Sequence, residues 1–403
     1  MAAGEAHAEW STEALGGTSV EVYAPEATSP VGEGRALMLV LHGCTQAATV
    51  LRDEGNLESA ADSMGVVMAV PAVPNGGVVA GCWDYYGALH TRTSGHNGAV
   101  LQIVDGLLDD PALNIDPNQV YVVGFSSGGG QAIVLGCVAP DVFAGVGVIA
   151  GPSLGTGISD ISIVNTTAQQ AATLCTQLAG TEAAALQSQA AITFSDAMDF
   201  TVSTGYNAVN AGMFGAVLSD GLDAMEMADI DFASLPGAVT PAGTGSTWAD
   251  ASGIRVAQLN STSGIGHAYP SGSGMSGGLL SYVNGNGLDM AQYAAEFFAS
   301  YNPRAGGWDP GGDDTGGDDS AGETGDPGTS GGVGESGDPT GDTSGGDAGG
   351  DSGLATAGEG GDAGGSGAEV PPGPGVGGCS VPGDRAPFGG LLALVLLGLR
   401  RRR

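Results

Sequence analysis

The first three-quarters of the chain alternate between two kinds of apolar pattern. Short runs rich in β-branched residues fall at 18–23, 37–41, 66–70, 120–123, 145–149, 191–194 and 255–259. Such runs, four to six residues long and bounded by Gly, Pro, Asn or Asp, read as strands, and the continuous ones read as strands buried on both faces. Between them, apolar residues recur at helical spacing at 57–64, 98–108, 131–138, 164–178 and 205–214, and a last helical stretch runs over 288–301. Strand and helix in alternation predict a mostly parallel sheet covered on both faces, in which ligands bind at the carboxyl ends of the strands. The stretch 214–247 has weak periodicity and is expected to pass over the site as a lid or excursion. No repeat of solenoid period interrupts the pattern.

Composition divides the chain into three. Residues 1–303 hold the apolar runs and enough aromatic residues for a sizeable core, and form the expected catalytic domain. Residues 304–378 collapse to Gly, Asp, Ser, Thr, Pro and Glu, with no basic residue after Arg304. Such a segment cannot bury enough to offset the entropy of ordering, and is expected to be a disordered acidic linker. Residues 379–403 place Cys379 before a short apolar run and four terminal arginines. That run falls short of the ~20 residues that span a bilayer. It resembles the myxobacterial C-terminal sorting tail, which implies processing near Cys379 by sorting machinery and display at the cell surface; a plain tail anchor is the alternative. Met1 to Trp10 carries no basic or apolar export signal, so an extracellular location implies a longer natural N-terminus.

The formal net charge is −34, and all ten basic residues are Arg. This argues against a nucleic-acid-binding face and otherwise speaks to solubility. Once Cys379 is assigned to the tail, Cys44, Cys82, Cys137 and Cys175 remain. Four cysteines allow three pairings; Cys44–Cys82 and Cys137–Cys175 are expected because each joins neighbouring elements. Neither a C-x-x-C nor a Cys/His metal spacing is present, and no metal is expected.

The chemistry concentrates at Gly124-Phe-Ser-Ser-Gly128, which follows the strand 120–123 and precedes a helix. Strand, G-x-S-x-G and helix in that order form the nucleophile elbow of an α/β-hydrolase, with Ser126 as nucleophile. The pattern alone is weak in a chain with 75 glycines, and it recurs around Ser153, Ser276 and Ser330. Only Ser126 has both flanking elements. A serine needs a base, and in this fold the order is Ser, acid, His. His267 is the sole histidine after Ser126, on a glycine-rich loop beyond the strand 255–259. The acid must lie between them after a strand, which offers Asp196 and Asp199. For the oxyanion, the backbone N–H groups of Ser127 and of Cys44, in the loop after the strand 37–41, are the candidate donors. His42 is read as shaping that loop, and His90 and His96 as ordinary loop residues.

Four motifs carry a further resemblance: Leu41-His-Gly-Cys-Thr-Gln46, Cys82-Trp-Asp-Tyr-Tyr86, Gly124-Phe-Ser-Ser-Gly-Gly129 and Gly264-Ile-Gly-His-Ala-Tyr-Pro270. Together they resemble extracellular short-chain polyhydroxyalkanoate depolymerases, which sit with feruloyl and acetylxylan esterases in one superfamily. The family's acid lies in Gly-x-x-Asp-x-x-Val; here Asp199 and Val202 match, and Asp196 stands where glycine is usual. The resemblance covers about residues 15–302 and favours Asp199 as the acid. It implies an acyl-enzyme serine esterase needing no cofactor, a substrate subsite at Trp83, and a disulfide from Cys82 that holds the Cys44 loop. The expected partner is a polyester or oligoester, with a monomer as the working unit. The linker and tail occupy the place of a polymer-binding domain, which favours oligomers, amorphous material or smaller esters. The alternatives are a feruloyl or acetylxylan-type carbohydrate esterase, and a non-catalytic surface adhesin on a hydrolase scaffold.

Overall fold

The computed structural model describes residues 8–278 and 280–307. The expected linker beyond residue 307 and the sorting tail with Cys379 lie outside the described residues. The central sheet is built from β1 (Trp10–Leu15), β2 (Thr18–Tyr23), β3 (Arg35–Leu41), β4 (Val66–Pro71), β5 (Ile115–Phe125), β6 (Gly145–Ile149), β7 (Ala190–Asp196), β8 (Glu226–Ile230), β9 (Gly243–Asp250) and β10 (Gly253–Ser261). Their order is β1-β2-β4-β3-β5-β6-β7-β10-β9-β8. From β4 to β10 the neighbours are parallel. The two strands at each edge run antiparallel to the strand inside them.

The parallel strands are buried on both faces, and their residues alternate between two cores. In β3, Leu37, Leu39 and Leu41 join one cluster, and Ala36, Met38 and Val40 the other. Helices α1 (Ala48–Glu54), α2 (Leu57–Met64) and the C-terminal α7 (Met290–Tyr301) cover one face. Helices α3 (Asn97–Leu108), α4 (Ser127–Val138), α5 (Ala168–Ala179) and α6 (Gly205–Leu218) cover the other. This period-2 division explains why the strands read as continuous apolar runs. The architecture is the expected α/β-hydrolase sheet.

Three expectations change. The stretch 214–247 is not an excursion over the site: it finishes α6 and then supplies β8 and most of β9. These strands pair outward from β10, whose ladder edge would otherwise stay open. Helix α5 begins at Ala168 rather than 164, because Thr167 and Gln170 form a capping box there. The folded unit also runs past residue 303. The Arg304 guanidinium donates to Ser188 Oγ at 2.9 Å and to the Asp141 carbonyl at 3.0 Å, pinning the chain after α7.

Candidate active site

Ser126 sits between β5 and α4 with φ +56° and ψ −117°, a conformation costly for a residue with a Cβ. Its N–H donates to the Ile149 carbonyl at 2.8 Å, which holds the turn against β6. The two flanking glycines are required by contact. A Cβ on Gly124 would lie 2.0 Å from the Gly128 carbonyl oxygen, and one on Gly128 would lie 2.3 Å from that of Leu41. The elbow therefore brings α4 down onto the end of β3, where the Cys44 loop begins.

His267 reaches this serine from the loop after β10. Its Nε2 lies 2.9 Å from Ser126 Oγ, and its Nδ1 lies 2.8 Å from Asp199 Oδ2. The Phe125 ring packs on the imidazole at 4.9 Å between centroids. Asp199 follows β7 and is buried. Its other oxygen accepts from the N–H groups of Thr201 at 2.8 Å and Val202 at 3.0 Å. These bonds are the physical content of the Asp-x-x-Val spacing: the turn fixes one carboxylate oxygen and aims the other at the ring. Asp196, the other candidate acid, does not contact His267; its oxygens are taken by other donors. The serine and histidine side chains remain reachable from solvent at the carboxyl ends of the strands.

The Cys44 loop is held from several sides. Cys44 is disulfide-bonded to Cys82, and the Thr45 N–H donates to the Ala80 carbonyl at 2.8 Å. Gln46 Oε1 accepts from the Gly43 N–H at 2.6 Å, and its amide nitrogen donates to the Ser281 carbonyl. Among the described residues, the backbone N–H groups of Cys44 and Ser127 meet no acceptor. These are the two N–H groups that the sequence offers as oxyanion donors. The second disulfide, Cys137–Cys175, joins α4 to α5 and braces the helix behind the serine.

The chain matches the family described as esterase PHB depolymerase over residues 19–202. It is 34% identical over 310 residues to a poly(3-hydroxybutyrate) depolymerase of Ralstonia pickettii, covering 74% of this chain and 61% of that protein. Residues 19–202 are thus similar to the esterase PHB depolymerase family, and the chain spans about three-fifths of the length of the Ralstonia pickettii relative. A shorter match, 32% identical over 117 residues, links it to a poly(3-hydroxyalkanoate) depolymerase C of Paucimonas lemoignei, over 28% of this chain and 27% of that one. Among solved structures, an acetyl xylan esterase from Aspergillus awamori superposes with a TM-score of 0.50 at 17% identity. It covers 64% of this chain and 94% of that one, and this likeness concerns the fold.

Against this family, three sequence expectations need correcting. Trp83 is fully buried in the core and presents no ring face to a ligand. Its indole N–H donates to the His42 carbonyl at 2.9 Å, and its ring meets His42 and His96, so it shapes the Cys44 loop from beneath. His96 is not an ordinary loop residue: it is buried, and its Nδ1 accepts from the Asp84 N–H at 3.0 Å. Burial lowers its pKa. His90 is likewise buried. His42 does shape its loop. Its Nε2 accepts from the Val73 N–H at 3.2 Å, and burial lowers its pKa, so the ring is neutral and structural. Sequence reading missed Gln46 and Phe125, whose partners lie far along the chain.

Proposed function

We propose that this protein is a serine esterase that hydrolyses short-chain poly(3-hydroxyalkanoate) polyester or its oligomers through an acyl-enzyme. The observation that carries this reading is the continuous hydrogen-bonded line from Ser126 Oγ through His267 to Asp199. In the first step Ser126 Oγ attacks the ester carbonyl carbon and His267 Nε2 takes its proton. The Asp199 carboxylate holds Nδ1–H and stabilises the imidazolium. The tetrahedral oxyanion is received by the N–H groups of Cys44 and Ser127, the latter at the positive end of α4. Collapse breaks the ester C–O bond, and the leaving hydroxyacid oxygen takes the proton from Nε2. Water then attacks the acyl-Ser126 ester, with His267 acting as base and afterwards returning the proton to Oγ.

The surroundings of the serine support an apolar substrate. Twelve large hydrophobic side chains are exposed among the described residues, and eleven lie on loops that follow the carboxyl ends of β4, β6, β7, β8 and β10. Leu89 and Phe200 are 94% and 83% exposed. Loops at one end of the strands share a face, and here it is the face that carries the serine. An aliphatic ester surface suits such a rim better than a hydrated polysaccharide does. The two formed disulfides support folding in an oxidising compartment, in keeping with an extracellular enzyme.

Product analysis on polyhydroxybutyrate, its linear trimer, methyl ferulate and acetylated xylan tests the reading. Release of hydroxybutyrate or its dimer, with little ferulate or acetate, is expected. Ferulate or acetate released alone would move the protein to the carbohydrate esterases and leave the mechanism standing. No turnover of any ester would favour a surface adhesin on this scaffold.

A further inference from the structure

Asp196 is completely buried and closes β7, in register with Ser261 at the end of β10. Its carboxylate accepts four hydrogen bonds. Oδ1 takes the N–H of Met198 at 2.9 Å and of Gly266 at 3.1 Å. Oδ2 takes the Ser261 hydroxyl at 2.8 Å and the N–H of Gly264 at 3.2 Å. Its own carbonyl accepts from the Asp199 N–H at 2.9 Å, and the next residue, Ala197, donates to the Ser261 carbonyl at 2.8 Å.

The donors fall into two groups. Met198 and Asp199 belong to the turn that carries the acid; Ser261, Gly264 and Gly266 belong to the strand end and loop that carry His267. These segments are far apart in sequence, and apart from Asp196 they are joined at this point by the Ala197–Ser261 backbone bond at the strand ends and by the Asp199–His267 bond itself. A buried carboxylate is tolerated only when its oxygens are filled, and filling them here requires both loops to be in place together. On the triad reading above, we infer that Asp196 is a positioning residue: it ties the acid turn to the histidine loop and sets where the imidazole stands before substrate arrives. A displacement of ~1 Å at such a group costs ~10²-fold in rate.

The test compares Asp196→Ala and Asp196→Asn with the parent enzyme on p-nitrophenyl butyrate, with turnover expressed per folded molecule by near-UV circular dichroism. The expected result for Asp196→Ala is a kcat roughly 30- to 100-fold lower with KM within about threefold. Asp196→Asn keeps one accepting oxygen and should recover to within about tenfold of the parent. If Asp196→Ala does not fold, Ser261→Ala takes its place, removing the hydroxyl bond alone, with a smaller loss of kcat at constant KM. Parental kcat in every variant that folds, or a rise in KM with kcat unchanged, would overturn the inference. So would Asp196→Asn proving no better than Asp196→Ala. Ser126→Ala separates this from failure of the underlying reading. If that variant is inactive while Asp196 variants are unimpaired, the tie is wrong and the triad stands. If Ser126→Ala turns over normally, the triad itself is wrong.

Discussion

The α-carbon of Gly128 packs directly against the carbonyl of Leu41: a methyl group there would stand 2.3 Å from the Leu41 oxygen and 2.7 Å from that of His42. This contact joins the helix behind the serine to the strand that leads into the Cys44 loop. Ser126 and the start of the Cys44 loop are thereby placed by a single backbone approach.

Gly128→Ala must push α4 away from β3. A loss of about 3 kcal/mol or more in stability is expected from urea unfolding, together with a fall in kcat of whatever still folds. Gly278, around which an added Cβ meets nothing within 4 Å among the described residues, is the control. Gly278→Ala should stay within about 0.5 kcal/mol. Equal effects at the two positions would contradict the account of the elbow.

The two disulfides separate stability from catalysis. Each links cysteines 38 residues apart, and the chain-entropy relation gives about 4 kcal/mol for either loop. The Cys44→Ser/Cys82→Ser and Cys137→Ser/Cys175→Ser enzymes should therefore lose comparable stability in urea. Only the first should also lose kcat in the folded state, by about tenfold, less than the ~10²–10³-fold cost of removing an oxyanion donor outright. A reversed pattern would place the Cys44 loop outside the chemistry.

Asp289 caps α7, accepting from the Gln292 N–H at 3.1 Å and from the Asn56 side chain at 2.6 Å. Burial raises its pKa from 3.8 to about 6 against these bonds. A folded-state pKa above the unfolded one means that the native state binds the extra proton between them. This group's contribution to stability therefore falls as pH rises from about 4 to about 6. Asp289→Asn removes that slope. The difference in Tm between variant and parent should shift in the variant's favour across this window; a difference flat with pH would contradict the assignment.

Much of this molecule was legible in its sequence, for identifiable reasons. β3, β6 and residues 120–125 of β5 are buried on both faces, so their sequences are continuous apolar runs that need no alternation to be recognised. The residues alone left Asp196 and Asp199 open as the acid; the resemblance favoured Asp199, and its Asp-x-x-Val spacing corresponds to a local bond from the Val202 N–H. β8 was not, because four of its five residues are exposed and its place is set by backbone pairing with β9. Trp83 misled for another reason. Its neighbour Cys82 fixes where the chain runs but not which way the indole turns, and the ring turned inward onto His42. Asp196 carries no local sign of its role, since three of its four donors come from residues 65 to 70 positions away.

The most direct measurement of the central claim is the rate at which the folded protein and its Ser126→Ala variant cleave the linear 3-hydroxybutyrate trimer, with product acids quantified. Steady release of monomer and dimer by the parent is expected, with a loss of at least ~10³-fold in the variant and Tm within a few degrees. Undiminished hydrolysis by Ser126→Ala would contradict that claim.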